Sequence, residues 1–187
     1  MDMLKRAAVA YEKLIGKEYC ITFSNGKMVR IIFKPSNFSH LAGLHKLTDI
    51  YQISSGRFSA VSLFKQAKSG KLTVEDLNCS YYFDSSAKDR LESLCRISEL
   101  LTLHGKAITD FDKRKCKARV SFKADTLFFK DDGHEFFITF GAAPDKDGVY
   151  HYPETIFYRF DRTYISGQNI VFISAIEIKL MAKRKSA

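Results

Sequence analysis

From about Lys117 onward the hydrophobic period of this 187-residue chain changes from helical to alternating, and that change constrains the fold more than any other feature. Apolar residues three or four apart bury one stripe of a helix, whereas strict alternation buries one face of a strand. A chain carrying both in succession must pack helices against a sheet.

Before the change, Leu4, Ala7, Ala8, Tyr11, Leu14 and Ile15 fall at helical spacing and predict a helix that ends near Gly16. Segment 57–68 predicts another, stopped by Ser69-Gly70, and Thr73 is placed to cap a short helical turn. A long amphipathic helix is expected up to Gly105, burying Leu91, Leu94, Cys95, Ile97, Ser98 and Leu101, with His104 a favourable cation at its C-terminus. After the change, "ARVSFKA", "TLFFK", "HEFFITFGAA", "VYHYPETIFYRF" and "IVFISAIEIKL" are strand candidates separated by short turns, so neighbours in sequence should run antiparallel. One β element comes early: "EYCITFSNGKMVRIIFK" alternates on both sides of Asn25-Gly26, which supplies the positive φ angles of a tight hairpin. The expected class is α+β: N-terminal helices and a β-hairpin, a helical middle, then an antiparallel sheet of about four to five strands. With no internal repeat and no Gly/Ser/Pro-rich linker, residues 1–187 read as a single domain.

With 45% apolar residues the chain can bury a sizeable core. No apolar run approaches the length of a membrane span, and the N-terminus is amphipathic rather than a secretory signal, so a cytoplasmic protein without a membrane partner is expected. Cys20, Cys79, Cys95 and Cys116 are scattered without a C-x-x-C pair, which argues against a disulfide framework and against a zinc cluster. The formal net charge of +9 suits a polyanionic partner if it gathers on one face. Lys113, Arg114, Lys115, Lys117, Arg119 and Lys123 form one basic cluster and Lys183, Arg184 and Lys185 another, although both also serve simply as solubilising charge.

Several enzyme classes lose weight by absence. The chain has no phosphate-cradling G-x-x-x-x-G-K-[ST], no G-x-G-x-x-G after a strand, no G-x-S-x-G elbow and no H-E-x-x-H. Asp131, Asp132, Asp145 and Asp147 fall in turns, where Asp is favoured on conformational grounds, so no acidic cage for a metal is visible and neither a metal nor another cofactor is expected.

The stretch "NFSHLAGLHKL" raises the opposite question, because it sets His40, His45 and Lys46 among apolar and small residues. Ser36 or Asn37 can cap a short helix and Gly43 can end it. On an unbroken helix two residues five apart are about 140° out of alignment. A break at Gly43 would let the imidazoles converge. One reading leaves them on the wet side of a helix. The other makes them an acid–base pair for RNA cleavage, in which a base frees the ribose 2′-OH to attack phosphorus, an acid protonates the 5′ oxygen, and cations hold the phosphoryl charge. A second constellation lies in "YHYPETIFYRF" and "YISGQN": Glu154, Thr155, Tyr158, Arg159 and Gln168 are polar groups in a hydrophobic region, and Pro153 marks an irregular strand position that could aim Glu154 and Thr155 at a groove. Tyr150, Tyr152 and Tyr158 can stack bases or pack a half-buried sheet.

In order, "FKPSNFSHLAGLHKLTDI", "FDKRKCKARVSFKADTLFF" and "YHYPETIFYRFDRTYISGQNIVFISAIEI" resemble the phage-associated branch of the barnase, EndoU, colicin and RelE-like nucleases, specifically its fourth phage-borne group. The resemblance spans most of the chain, and N-F-x-H-L-x-G-L-H-K-L is its most specific part. It implies helices packed on a four-stranded antiparallel sheet, metal-independent RNA cleavage, and a phage or toxin-like setting in which a protein inhibitor or immunity partner is expected. It also implies that residues 57–105 are a helical insertion. By this resemblance His40 and His45 match the histidine motif, while Lys46, Glu154, Thr155 and Gln168 match positions around the pocket. Together the readings predict a metal-independent endoribonuclease using His40, His45 and Lys46, with Arg159 also on the phosphate. The alternative is a non-catalytic RNA-binding or regulatory module on the same fold.

Overall fold

Asp2 opens the first helix by accepting a hydrogen bond from the Lys5 amide, and its other carboxylate oxygen accepts one from Val74, far along the chain. In the structure, a computed structural model that describes residues 1–116, 120, 122–131, 135–159 and 163–181, this helix (α1, Met3–Glu12) buries Leu4, Ala7, Ala8 and Tyr11. Strands β1 (Lys17–Phe23) and β2 (Met28–Ile32) follow as the expected hairpin. The Asn25 carboxamide accepts from the Lys27 amide at 3.1 Å and Gly26 takes φ 81° in its turn. Five further helices are α2 (Pro35–Leu41), α3 (Tyr51–Ser54), α4 (Ala60–Ser69), α5 (Val74–Asn78) and α6 (Asp89–Cys95). Ser59 caps α4 and left-handed Gly70 ends it, while Thr73 and Asp76 form a reciprocal capping box on α5.

The β part departs from the expected four to five strands. Strands β3 (Lys106–Ile108), β4 (Thr126–Asp131), β5 (Glu135–Asp145), β6 (Gly148–Arg159) and β7 (Ile170–Leu180) join the hairpin in a closed barrel of order β1-β2-β6-β5-β4-β3-β7. Its pairs are antiparallel except β2 with β6, which meet in parallel at Ile31 and His151. Two segments account for the difference. The N-terminal hairpin supplies β1 to pair with β7, and β3, which starts directly after the expected end of a long helix and lies outside the expected strands, pairs with both β4 and β7. Closure leaves no open sheet edge. The long helix is correspondingly shorter: α6 ends at Cys95, Ile97–Leu100 form a 3₁₀ turn, and His104 adopts φ 64° as its amide donates to the Ile173 carbonyl. His104 is therefore part of the turn into β3 rather than a helix-terminal cation. "ARVSFKA" is not a strand among its described residues, 120 and 122–124.

Strands β3 to β6 send residues to two cores. Phe128, Ile138, Phe140, Ile156, Val171 and Ile173 share one buried cluster with α1, α2, α4 and α6, whereas Leu127, Phe129 and Phe137 pack on the other side with Ile108, Phe111, Phe122 and Tyr164. Residues 57–105 thus add apolar side chains to the same core as the barrel and α1. Phe140 sits fully buried between Phe128 (4.9 Å between ring centroids) and Phe33 (6.2 Å). Phe140→Ala should cost about 3–5 kcal/mol, since it removes contacts and leaves a cavity between those rings; a fall in the urea midpoint at constant slope would measure it.

Candidate functional site

The histidine stretch is fastened from behind. Phe38, Leu41, Ala42, Leu44 and Leu47 are fully buried, so its apolar residues anchor it in the main core while His40, His45 and Lys46 remain exposed. Pro35 occupies the first turn of α2, where a missing amide proton costs nothing, and Asn37 accepts from the Lys34 amide at 3.0 Å. The helix stops at Gly43, whose φ of 73° lies in the left-handed region, and the chain re-enters a 3₁₀ turn over Leu44–Lys46. That reversal stacks the imidazole of His45 on that of His40, with ring centroids 4.1 Å apart and planes 14° from parallel.

Gly43 is needed for two reasons. Its φ is strained for any L side chain, and a Cβ there would lie 2.2 Å from the Ser86 carbonyl oxygen and 2.9 Å from Cδ of Arg90. The backbone of the histidine turn is thus pressed against the segment leading into α6, where Asp84–Lys88 form a wide π-type turn. Arg90 follows and reaches across to donate from Nη1 to the Thr155 hydroxyl at 2.8 Å.

Glu154 enters by a register shift. Thr139 pairs with Thr155 but Phe140 pairs with Pro153, so Glu154 is the extra residue of a β-bulge in β6. Regular alternation would send Glu154 and Thr155 to opposite faces; here both line one cavity of about 260 Å³ with His40, His45, Lys46, Arg90 and Phe122. Oε1 of Glu154 accepts from the Lys123 amide at 2.9 Å, and Oε2 is buried without a hydrogen-bond partner among the described residues.

The electrostatics of this cavity are lopsided. Burial lowers the pKa of His40, and the neighbouring Arg90 lowers it further while Glu154 opposes. His45 is pushed down to about 4, first by burial, then by the charges of His40, Arg90 and Lys46. Lys46 is lowered by burial and Arg90, and Arg90 itself by burial. Arg90 has no carboxylate within ion-pair distance among the described residues; its one side-chain partner is a neutral hydroxyl. In this cavity Lys46 and Arg90 thus share the lining with one carboxylate, Glu154, and with two imidazoles whose proton affinity is lowered. Charge of this sign in a partly buried cavity is complementary to an anion.

Not every residue singled out in the sequence arrives here. Gln168 does not line the cavity: its carboxamide accepts from the Asp112 amide at 3.1 Å and donates to the Asp112 carbonyl at 2.8 Å, tying the loop before Cys116 to the turn before β7. Lys113, Arg114 and Lys115 form an exposed 3₁₀ turn outside the cavity lining, with Arg114 paired to Asp112. Lys123 stands beside Glu154 through its backbone, and Tyr158 lines an adjoining cavity. Lys117, Arg119, His134, the 183–185 tail and the side chain of Arg159 lie outside the described residues. Arg90 is the residue that sequence reasoning missed. Its signal was present, since it lies three residues after Ala87 and four before Leu94, a charge on a stripe otherwise buried. Among the described residues no group of three or more His, Cys, Asp or Glu is placed to hold a metal ion, and no helix is long and apolar enough to cross a membrane.

Two outcomes test this geometry. Because His45 binds its proton near pH 4 when folded and near 6.5 when unfolded, stability should fall as the pH drops from about 6.5 towards 4, the unfolded chain taking up the proton first. Chemical denaturation of His45→Gln across that window should show a shallower acid loss than the parent. Gly43→Ala should destabilise by more than the roughly 1 kcal/mol typical of a strained backbone position, because the Ser86 carbonyl must also move; an unchanged melting temperature would contradict the close approach.

No curated protein and no solved structure matches this chain. A model of the family described as phage-Barnase-EndoU-ColicinE5/D-RelE like nuclease4 matches residues 3–175. That span takes in the histidine turn, Arg90 and the Glu154 bulge together, and the chain belongs to this family of nucleases.

Proposed function

We propose that this chain is a metal-independent endoribonuclease in which the stacked histidines transfer the protons. The observation that supports it most is the pair of imidazoles 4.1 Å apart at the mouth of a cavity holding Lys46 and Arg90. That spacing is comparable to the separation of the entering and leaving oxygens across a five-coordinate phosphorus. His45, kept neutral, takes the proton of the 2′-hydroxyl as its oxygen attacks phosphorus. The bond from phosphorus to the 5′ oxygen breaks, and that oxygen receives a proton from His40. The products are a 2′,3′-cyclic phosphate and a 5′-hydroxyl, and exchange with water returns each ring to its starting state.

The division of roles follows from the surroundings. Glu154 favours the charged form of His40 and therefore its service as the acid, whereas no carboxylate favours that of His45, which burial and then the charges of His40, Arg90 and Lys46 lower against a backbone hydrogen bond with Ser39. An entering phosphate raises both rings' proton affinity, so the pair titrates as a unit once substrate is bound. Lys46 and Arg90 carry the charge gathering on the non-bridging oxygens. Arg90 is the more exacting of the two, since its desolvated guanidinium offers a fixed fork of donors.

Incubation of the purified protein with transfer RNA and total RNA in excess chelator should yield 2′,3′-cyclic phosphate ends. His45→Ala and His40→Ala should each slow cleavage by about 10²–10⁴-fold, the usual scale of one proton-transfer group. Undiminished cleavage by His45→Ala would remove that ring from the mechanism. Salt-sensitive RNA binding with no product from any RNA would instead select the non-catalytic binding module.

A further inference from the structure

A second cavity, of about 200 Å³, adjoins the first, and Lys46 and Arg90 belong to both. Its other walls include Ser85, Ser86 and Asp89 from the turn before α6 and its first residue, and Phe157 and Tyr158 from β6. A phosphate held by the two shared cations therefore borders two chambers: one with the proton-transfer groups, and one with hydroxyls, the carboxylates of Asp84 and Asp89, and Tyr158. A nucleotide anchored at that phosphate can send its base into the second, whose mainly polar lining can meet the hydrogen-bonding edge of a base. Its volume lies below the ~300 Å³ at which pockets for drug-sized ligands begin, which suits a single base. The Phe157 ring is committed to stacking on Phe122 and Phe137, which leaves Tyr158 as the aromatic side chain at this wall on which a base can stack irrespective of sequence.

Discrimination has to come from hydrogen bonding, and the carboxylates differ in availability. Asp84 is tied to Lys88 at 3.5 Å. Asp89 lines the same cavity, and its carboxylate has neither a hydrogen bond nor an ion pair among the described residues. An ionised carboxylate only accepts. It suits the amino groups of cytosine, adenine and guanine and is repelled by the carbonyl oxygens that flank the one imino donor of uracil.

We propose that this second cavity is the nucleobase subsite beside the scissile phosphate, and that Asp89 makes it favour a base carrying an amino group over uracil. The inference rests on the ribonuclease reading, of which it names the specificity. Cytidine 3′-phosphate and uridine 3′-phosphate are suitable probes, since their bases differ only in amine against oxygen at C4 and the N3 proton that follows from it. In calorimetric or NMR titrations of the full chain, the cytidine nucleotide should bind about tenfold more tightly than the uridine nucleotide, the scale of one good edge contact. Asp89→Asn, whose amide both donates and accepts, should close that gap and leave the affinity for inorganic phosphate within about twofold, because Lys46 and Arg90 are untouched. Asp89→Ser provides the same readout with a smaller side chain that likewise both donates and accepts. Equal affinities in the parent protein, or a gap that survives both substitutions, would overturn the proposal. Cleavage without base preference would sink this inference alone, whereas base preference without cleavage would sink the catalytic reading and leave the subsite standing.

Discussion

The left-handed turn at Gly43, pressed against the Ser86 carbonyl and the stem of Arg90, is the contact on which the rest of the site depends. It performs two tasks with one residue. It ends α2 so that His45 folds back over His40, and it allows the histidine turn to approach the start of α6 more closely than any side chain would permit. Without the first, the imidazoles would point away from each other; without the second, Arg90 would not share a cavity with them. The apolar residues around the turn, Phe38, Leu41, Ala42, Leu44 and Leu47, hold this backbone in place by burial, so the polar groups are carried on a rigid support.

A second geometric device completes the constellation from the opposite wall. The bulge in β6 places Glu154 and Thr155 on the same side, where Thr155 receives the Arg90 guanidinium and Glu154 faces His40. Pro153 belongs there because it has no amide proton to lose at an irregular ladder position. The result gathers basic groups in a partly desolvated cavity with one carboxylate in its lining, and the proton affinities of His40, His45 and Lys46 are depressed accordingly. The same feature weakens the fold at acid pH, and in the proposed function a phosphate group relieves the repulsion.

Local signals carried much of this arrangement. The Asn25-Gly26 hairpin, the Thr73 cap, the stops at Gly70 and Gly43 and the oddity of Pro153 were all legible, because each depends on the conformational preference of one or two residues. The closed barrel was not. Strand β3 is three residues long and directly follows helical sequence, and nothing local says that it will bridge β4 and β7. The broken helix before it has the same cause, since the chain leaves its helical period to add that strand. Gln168 misled for a related reason: a polar residue beside a tight turn looks equally apt for a pocket or for the backbone clamp it forms on Asp112.

By itself, then, the sequence determined the mixture of helices and strands, the hairpin, the nuclease family and the bend that pairs His40 with His45. Each of these follows from periodicity, turn chemistry or a contiguous motif, and so from interactions between residues close along the chain. Tertiary structure alone decided that Arg90, on a helix 45 residues beyond His45, and Glu154, in a bulge 64 residues further still, would meet those histidines around one cavity. Such meetings depend on how a closed sheet and its helices pack, a long-range balance of burial and register that no window of sequence contains.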